Sequence, residues 1–200
     1  MDKGEVSEQQ SIWDDARGHI ERGDYDKAIE IYSYVLIRYA DDLKYVEYAN
    51  AYLGDIFLTN QRLGLAEQHL IKAITLAPKN AHYHYLLGFT YSVGERWAKS
   101  VASFRRAIRL ESDNGEFERG LGWAVLNSGK KMDGIAHLYR AVELSPSNVH
   151  AVTDLAAAFL MLGNLEKASE YGEQAVQLDP SNSLALNLLE TIERIKGNLV

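Results

Sequence analysis

Six histidines, several paired carboxylates and one Gly-Lys-Lys stretch are the groups in this chain with the means to do chemistry. A metal site needs several such ligands converging on one point. His82 and His84 are two residues apart, so they diverge on a helix. His82 and His150 could share a face, but 68 residues separate them, and the same interval separates His69 and His137. That recurrence reads as structure, not as a ligand set. NSGKK at 127–131 resembles the end of a phosphate-binding loop, but Ala124 stands where that loop needs its first glycine. Carboxylates such as Glu166 and Glu170 are spaced as on a solvated helix face. No G-x-S-x-G, H-E-x-x-H or calcium-loop pattern occurs, and the absence of cysteine removes thiolate nucleophiles, thiolate ligands and disulfides. The expectation is a chain that is not an enzyme and uses no cofactor or metal.

The chemistry left is recognition, and bulk composition narrows it. Of 200 residues, 46% are hydrophobic and 24% charged, enough apolar material for a substantial core. The net charge of −7 argues against a nucleic-acid partner, which calls for a basic stripe. Arg105-Arg106 and Lys130-Lys131 are isolated pairs. The opening MDKGEVSEQQ has no apolar signal core, and the longest apolar run, LAAAFLMLG at 155–163, is far short of the roughly 20 residues that a membrane span requires. No membrane insertion and a cytoplasmic location are expected.

The elements that position everything else come from a repeat. LAPKN, LESDN, LSPSN and LDPSN begin at 76, 110, 144 and 178, each 34 residues after the last. Units of 34 residues therefore run 47–80, 81–114, 115–148 and 149–182. Their seventh residues are Leu53, Leu87, Leu121 and Leu155; their eighth are Gly54, Gly88, Gly122 and Ala156; their twenty-seventh are Ala73, Ala107, Ala141 and Ala175. GDYDKAIEIY at 23–32 aligns with GNLEKASEYG at 163–172, which places a further unit at 9–42. A four-residue insertion, 43–46, follows it and is expected to lengthen the connection there. Each unit reads as two helices. Proline cannot continue a helix and biases the residue before it away from helical geometry, so it ends the second helix; the asparagine two residues later is placed to cap the next. Glycine within a helix costs about 1 kcal/mol against alanine, so its recurrence at the eighth residue implies close helix–helix approach. One hairpin cannot bury its apolar face alone, whereas stacked neighbours can.

This pattern resembles the tetratricopeptide repeat family: Leu-Gly in the first helix, an aromatic after it, small residues in the second and proline in the turn. The first unit departs, with Asp15-Ala16 in place of Leu-Gly, and Asn50, His84 and Glu118 stand where a bulky residue is usual. The resemblance implies an all-α fold: a right-handed α-solenoid of five helical hairpins with a C-terminal capping helix and tail at 183–200, after a flexible N-terminus at 1–8, read as one structural unit. It also implies a concave groove lined by the first helices.

Residues two, five, nine and twelve of each unit lie opposite the hairpin core. They include Trp13, Arg17, Tyr48, Asp55, His82, Tyr85, Phe89, Arg119 and Trp123. Exposed apolar patches mark interaction sites, and aromatic anchors with a few charges suit protein interfaces; the other reading of the same residues is mutual packing in a tight arc. The aromatic residues would supply desolvated area, and Arg17, Asp55 and Arg119 would set register. The Lys, Arg and Asn clamp by which some family members hold acidic tails is absent. Tyr45, Tyr48 and Tyr52 form a stripe read either as extra packing or as a second recognition surface. The sequence therefore points to a non-catalytic adaptor, assembly factor or chaperone that binds a partner protein or peptide with apolar side chains in its concave groove, either as an extended segment or as an amphipathic helix. The alternative is a self-associating scaffold, a homo-oligomer.

Overall fold

The computed structural model describes the backbone of residues 3–198 and the side chains of 11–198. Among the described residues it consists of eleven α-helices and no strand. The helices are α1 (Lys3–Glu21), α2 (Tyr25–Arg38), α3 (Leu43–Thr59), α4 (Leu63–Leu76), α5 (Ala81–Val93), α6 (Trp97–Leu110), α7 (Gly115–Asn127), α8 (Lys131–Leu144), α9 (Val149–Met161), α10 (Leu165–Leu178) and α11 (Ser183–Gly197). The chain forms two compact units, residues 1–93 with α1–α5 and residues 94–200 with α6–α11, where a single unit is expected from the repeat alone. Repeat arrays hold together only through neighbouring elements, so they partition readily.

Helix ends follow from the punctuation. α4, α8 and α10 end at Leu76, Leu144 and Leu178, with the C-caps Ala77, Ser145 and Asp179 immediately before Pro78, Pro146 and Pro180. The asparagine that follows starts the next helix. Asn114 accepts from the Glu116 and Phe117 amides, Asn148 from His150 and Ala151, and Asn182 from Ala185. Between the two helices of a hairpin the chain needs one left-handed residue. Gly23, Gly129 and Gly163 supply it at φ 75°, 95° and 74°, but Gln61 and Glu95 adopt φ 57° and 55° at the same repeat position.

Two expectations need correction. Helix α1 begins at Lys3, so residues 3–8 are helical where a flexible segment is expected over 1–8; Met1 and Asp2 lie outside the described residues. The insertion 43–46 does not lengthen a connection. It adds one turn to the front of α3, whose N-cap Asp42 accepts from the Lys44 and Tyr45 amides.

Packing follows the small–large code. Leu53, Leu121 and Leu155 are buried, as are Ala66, Ala73, Ala141, Ala168 and Ala175. A Cβ on Gly122 would lie 2.8 Å from Leu138 Cγ and 2.9 Å from Gly134 O, so α7 and α8 touch backbone to backbone. Ala16 fills the corresponding place in the first unit with no exposure. The unusual polar residues are partnered: buried Asn50 meets His69 at 2.8 Å and buried Glu118 meets His137 at 2.8 Å. Asn50 Nδ2 donates to Val46 O, leaving Oδ1 to accept from His69 Nδ1. Burial lowers the His69 pKa, and the Lys72 charge lowers it further.

Candidate binding face

In the first unit, α1, α3 and α5 present the residues singled out by the helical pattern. Trp13 on α1 is half-buried and stands at the centre of an aromatic cluster. Its ring lies 5.7 Å from Tyr45 in a stacked arrangement, 6.0 Å from Tyr52 and 6.3 Å from Tyr48 edge-on. Beneath it, fully buried Tyr32 from α2 stacks on Tyr52 at 5.0 Å and 2°. These separations match the offset and edge-to-face geometries that aromatic pairs favour. Burial raises the Tyr32 pKa far above that of an ordinary phenol, so its hydroxyl stays protonated.

The cluster is not closed. Trp13, Arg17, Tyr32, Lys44, Tyr45, Tyr48 and Tyr52 line a cavity of about 360 Å³. A second cavity, of about 230 Å³, is lined by Tyr48, Ala51, Tyr52, Asp55, His82, Tyr83 and Leu86. Tyr48 and Tyr52, each about two-fifths exposed, form the wall between them. Farther along α5, His82 stacks on Tyr85 and Tyr85 on Phe89, with Phe89 exposed.

The two cavities carry opposite charge. Arg17 and Lys44 flank the first. Arg17 pairs with Asp14 at 2.9 Å, with both side chains more than half exposed, and Lys44 lies 5.7 Å from the Tyr48 ring centroid. Asp55 borders the second cavity; burial by its neighbours raises its pKa and the His82 charge opposes that shift. Tyr83 donates to Glu47 at 2.9 Å, which with burial raises the phenol strongly.

The structure thus brings Trp13, Arg17, Tyr48, Asp55 and His82 to two adjoining cavities, with Tyr85 and Phe89 continuing along α5. Arg119 and Trp123 belong to the second unit, and their surroundings differ. Arg119 lies between Glu116 at 2.8 Å and Asp154 at 2.8 Å, tying α7 to α9, so it already holds two carboxylates instead of standing ready for a ligand. Asn148 also donates to Glu116. Burial raises the Asp154 carboxyl despite Arg119, whereas at Glu116 the Arg119 and Asn148 donors outweigh burial and lower it. Trp123 is half-buried against the core formed by Leu126, Ile135, Leu138 and Phe159. Residues at the twelfth repeat position, Leu58 and Leu126, are core.

Sequence reasoning missed Tyr32, Lys44 and Tyr83. Lys44 was within reach, since it lies four residues before Tyr48 on the same helical face. Tyr32 arrives from α2 and carries no such signal. Among the described residues, no group of three or more His, Asp or Glu is placed to hold a metal ion, and no helix is long and apolar enough to cross a membrane.

The tetratricopeptide repeat profile matches residues 14–81, 85–148 and 119–183. No curated protein matches the chain significantly. Several solved structures share the fold. PilF of Pseudomonas aeruginosa superposes with a TM-score of 0.78 at 17% identity, covering 98% of this chain and 87% of that one. MamA from Desulfovibrio magneticus RS-1, residues 41 to the end, gives 0.73 at 14%, covering 87% and 96%. YrrB, described as a TPR protein with an unusual peptide-binding site, gives 0.65 at 20%, covering 86% and 87%.

Proposed function

Since the chain belongs to the tetratricopeptide repeat family, we propose that it is a non-catalytic interaction module holding an apolar segment of a partner protein against the α1–α3–α5 face of its first unit. The observation that carries this reading is the pair of adjoining aromatic cavities divided by Tyr48 and Tyr52. Cavities of a few hundred cubic ångströms lined by aromatic residues with a few polar groups are typical ligand sites. Fully burying one branched or aromatic side chain contributes about 1.5–3 kcal/mol, so two filled cavities would supply useful affinity. Trp13, Tyr48, Tyr85 and Phe89 offer the apolar area, and Arg17, Asp55 and His82 the polarity. YrrB, a relative in fold, has a peptide-binding site, which is in keeping with this role. An adaptor, assembly factor or chaperone would each use such a face, in the cytoplasm by the reading of the sequence.

The test is a random-peptide display selection against the purified chain, repeated with the Tyr48→Ala/Tyr52→Ala variant after circular dichroism has shown that the variant is folded. Enrichment of apolar peptides by the wild type alone is expected. Equal enrichment by both would refute the assignment of this face.

A second reading, self-association, has its own observation. Tyr34 and Ile37 on α2 are 51% and 80% exposed. The same repeat positions hold Lys72 and Thr75, Arg106 and Arg109, Arg140 and Glu143, and Gln174 and Gln177 in the other units. An apolar pair at these two positions, where the other hairpins are polar, is where a homo-oligomer contact would form. Light scattering over a concentration series, with Ile37→Lys as the control, separates a dissociable oligomer from a monomer.

A further inference from the structure

The opposite charge of the two cavities specifies the ligand more closely than apolarity does. Lys44 makes no ion pair among the described residues, and its ammonium lies 5.7 Å from the Tyr48 ring centroid at the rim of the first cavity. Among the described residues Arg17 is ion-paired only with Asp14, in an exposed pair of the kind worth little in water. A ligand carboxylate could therefore recruit both cations without breaking a buried contact. At the second cavity, the Asp55 side chain has neither a hydrogen-bond donor nor an ion-pair partner among the described residues, apart from the nearby His82.

The separation of the charges can be read from the helix that carries them. Lys44 and Asp55 both lie on α3, eleven residues apart. At 1.5 Å per residue that is about 16 Å. An extended chain rises about 3.3 Å per residue, so the four steps of a five-residue segment cover about 13 Å and the reach of the charged end side chains supplies the rest. Tyr48 and Tyr52 stand between the two ends.

We propose that this face selects an extended peptide of about five residues with an acidic group at one end, a basic group at the other, and aromatic or branched aliphatic side chains between them. The acid meets Arg17 and Lys44, the base meets Asp55, and the central side chain, which shares their face of the extended chain, enters the aromatic surface beside Tyr48 and Tyr52. The proposal rests on the peptide-binding reading above and adds the charge order. Like charges placed opposite each other at an interface are disfavoured, so the face also excludes peptides charged alike at both ends.

Fluorescence anisotropy with three labelled, end-blocked peptides tests this: Glu-Leu-Phe-Leu-Lys, Glu-Leu-Phe-Leu-Glu and Lys-Leu-Phe-Leu-Lys. The wild type is expected to bind the mixed peptide about tenfold tighter than either of the others, a difference that reflects charge complementarity. Asp55→Lys should shift the preference to the diacidic peptide, and Arg17→Glu/Lys44→Glu to the dibasic one. If Asp55→Lys fails to fold, Asp55→Asn should still erase the discrimination between mixed and diacidic peptides. Equal binding of all three by the wild type would overturn the charge order and leave the aromatic face standing. No binding of any, together with an empty display selection, would overturn both readings.

Discussion

The close approach of α7 and α8 makes a prediction whose sign can be worked from distances. A Cβ added to Gly134 would lie 2.6 Å from both Leu126 Cβ and Leu126 N, and 2.7 Å from Gly122 O. Ordinary contact begins at 3.4 Å, so Gly134→Ala is about 0.8 Å too close, and two of the three atoms are backbone that cannot rotate away. The helices must separate. A gap of that size forfeits a quarter to a half of the dispersion well for the atoms facing it, and a buried leucine makes some 40–60 contacts worth about 0.1–0.2 kcal/mol each. Leu138, fully buried at this junction, would lose roughly 1–3 kcal/mol, the usual range for overpacking. The gain in helix propensity from glycine to alanine is about 1 kcal/mol, so the net effect is a destabilisation of up to about 2 kcal/mol. Gly172 on α10 is the control. There the added Cβ meets only the mobile ends of Leu189 at 3.2 Å and Ile192 at 3.5 Å, with Leu189 Cβ at 3.7 Å. Gly172→Ala should therefore keep most of the propensity gain. Thermal scans by circular dichroism should show the melting temperature lowered by up to roughly 8 °C for Gly134→Ala and raised by a few degrees for Gly172→Ala. Two shifts of the same sign would refute the claim that backbone proximity, and not glycine content, sets these positions.

Other outcomes follow from single contacts. Arg119→Ala leaves Asp154 and Glu116 crowded together without their shared cation, and should cost about 2–3 kcal/mol in a urea titration. Gln61→Gly removes a left-handed side chain at φ 57° and should stabilise by up to about 1 kcal/mol, read from the shift in urea midpoint. Asn114→Ala should cost about 1 kcal/mol by the same assay, because two amides at the start of α7 lose their acceptor. The lowered His69 pKa makes the folded state bind fewer protons than the unfolded state just below pH 6.5. The stability it contributes is therefore present above that pH and lost as pH falls through the folded value. Melting temperatures measured between pH 7.5 and 5 should fall less steeply for His69→Gln than for the wild type.

Most of the fold can be read from the sequence because the repeat states each rule several times. Leu-x-Pro-x-Asn gives a helix stop and a helix start, and the caps at Asn114, Asn148 and Asn182 form as that logic requires. The left-handed turn is legible at Gly23, Gly129 and Gly163 and hidden at Gln61 and Glu95, whose side chains give no hint of positive φ. The insertion 43–46 misleads for a related reason. Four residues are close to one helical turn, so they extend α3 without altering the register of Tyr48, Leu53 and Asp55. The candidate site is legible only in part. Helical spacing finds Trp13, Tyr48, Asp55 and His82, but it assigns a residue to a face without saying what crosses to meet it. Arg119 has the right spacing, and its partner Asp154 lies 35 residues away on another helix.

That contrast bears on where a partner could bind. The hairpin core occupies the eighth, twentieth and twenty-seventh residues of every repeat, and the seventh in all but the first, where Asp15 is exposed; it leaves the fifth and ninth free to vary. In the first unit those positions include Trp13, Arg17, Ala51 and Asp55, and they leave cavities whose charges are unspent on each other. In the second they include Arg119 and Trp123, and there the cation is shared between two carboxylates and the indole is packed against the core. A ligand carboxylate approaching Arg119 would have to displace Asp154, leaving a half-buried acid without its cation, whereas one approaching Lys44 meets an ammonium that makes no ion pair among the described residues and rests near the Tyr48 ring. The same repeat geometry thus yields a closed face in one unit and an open one in the other, and the difference lies in whether the charged residues already have partners across the helices.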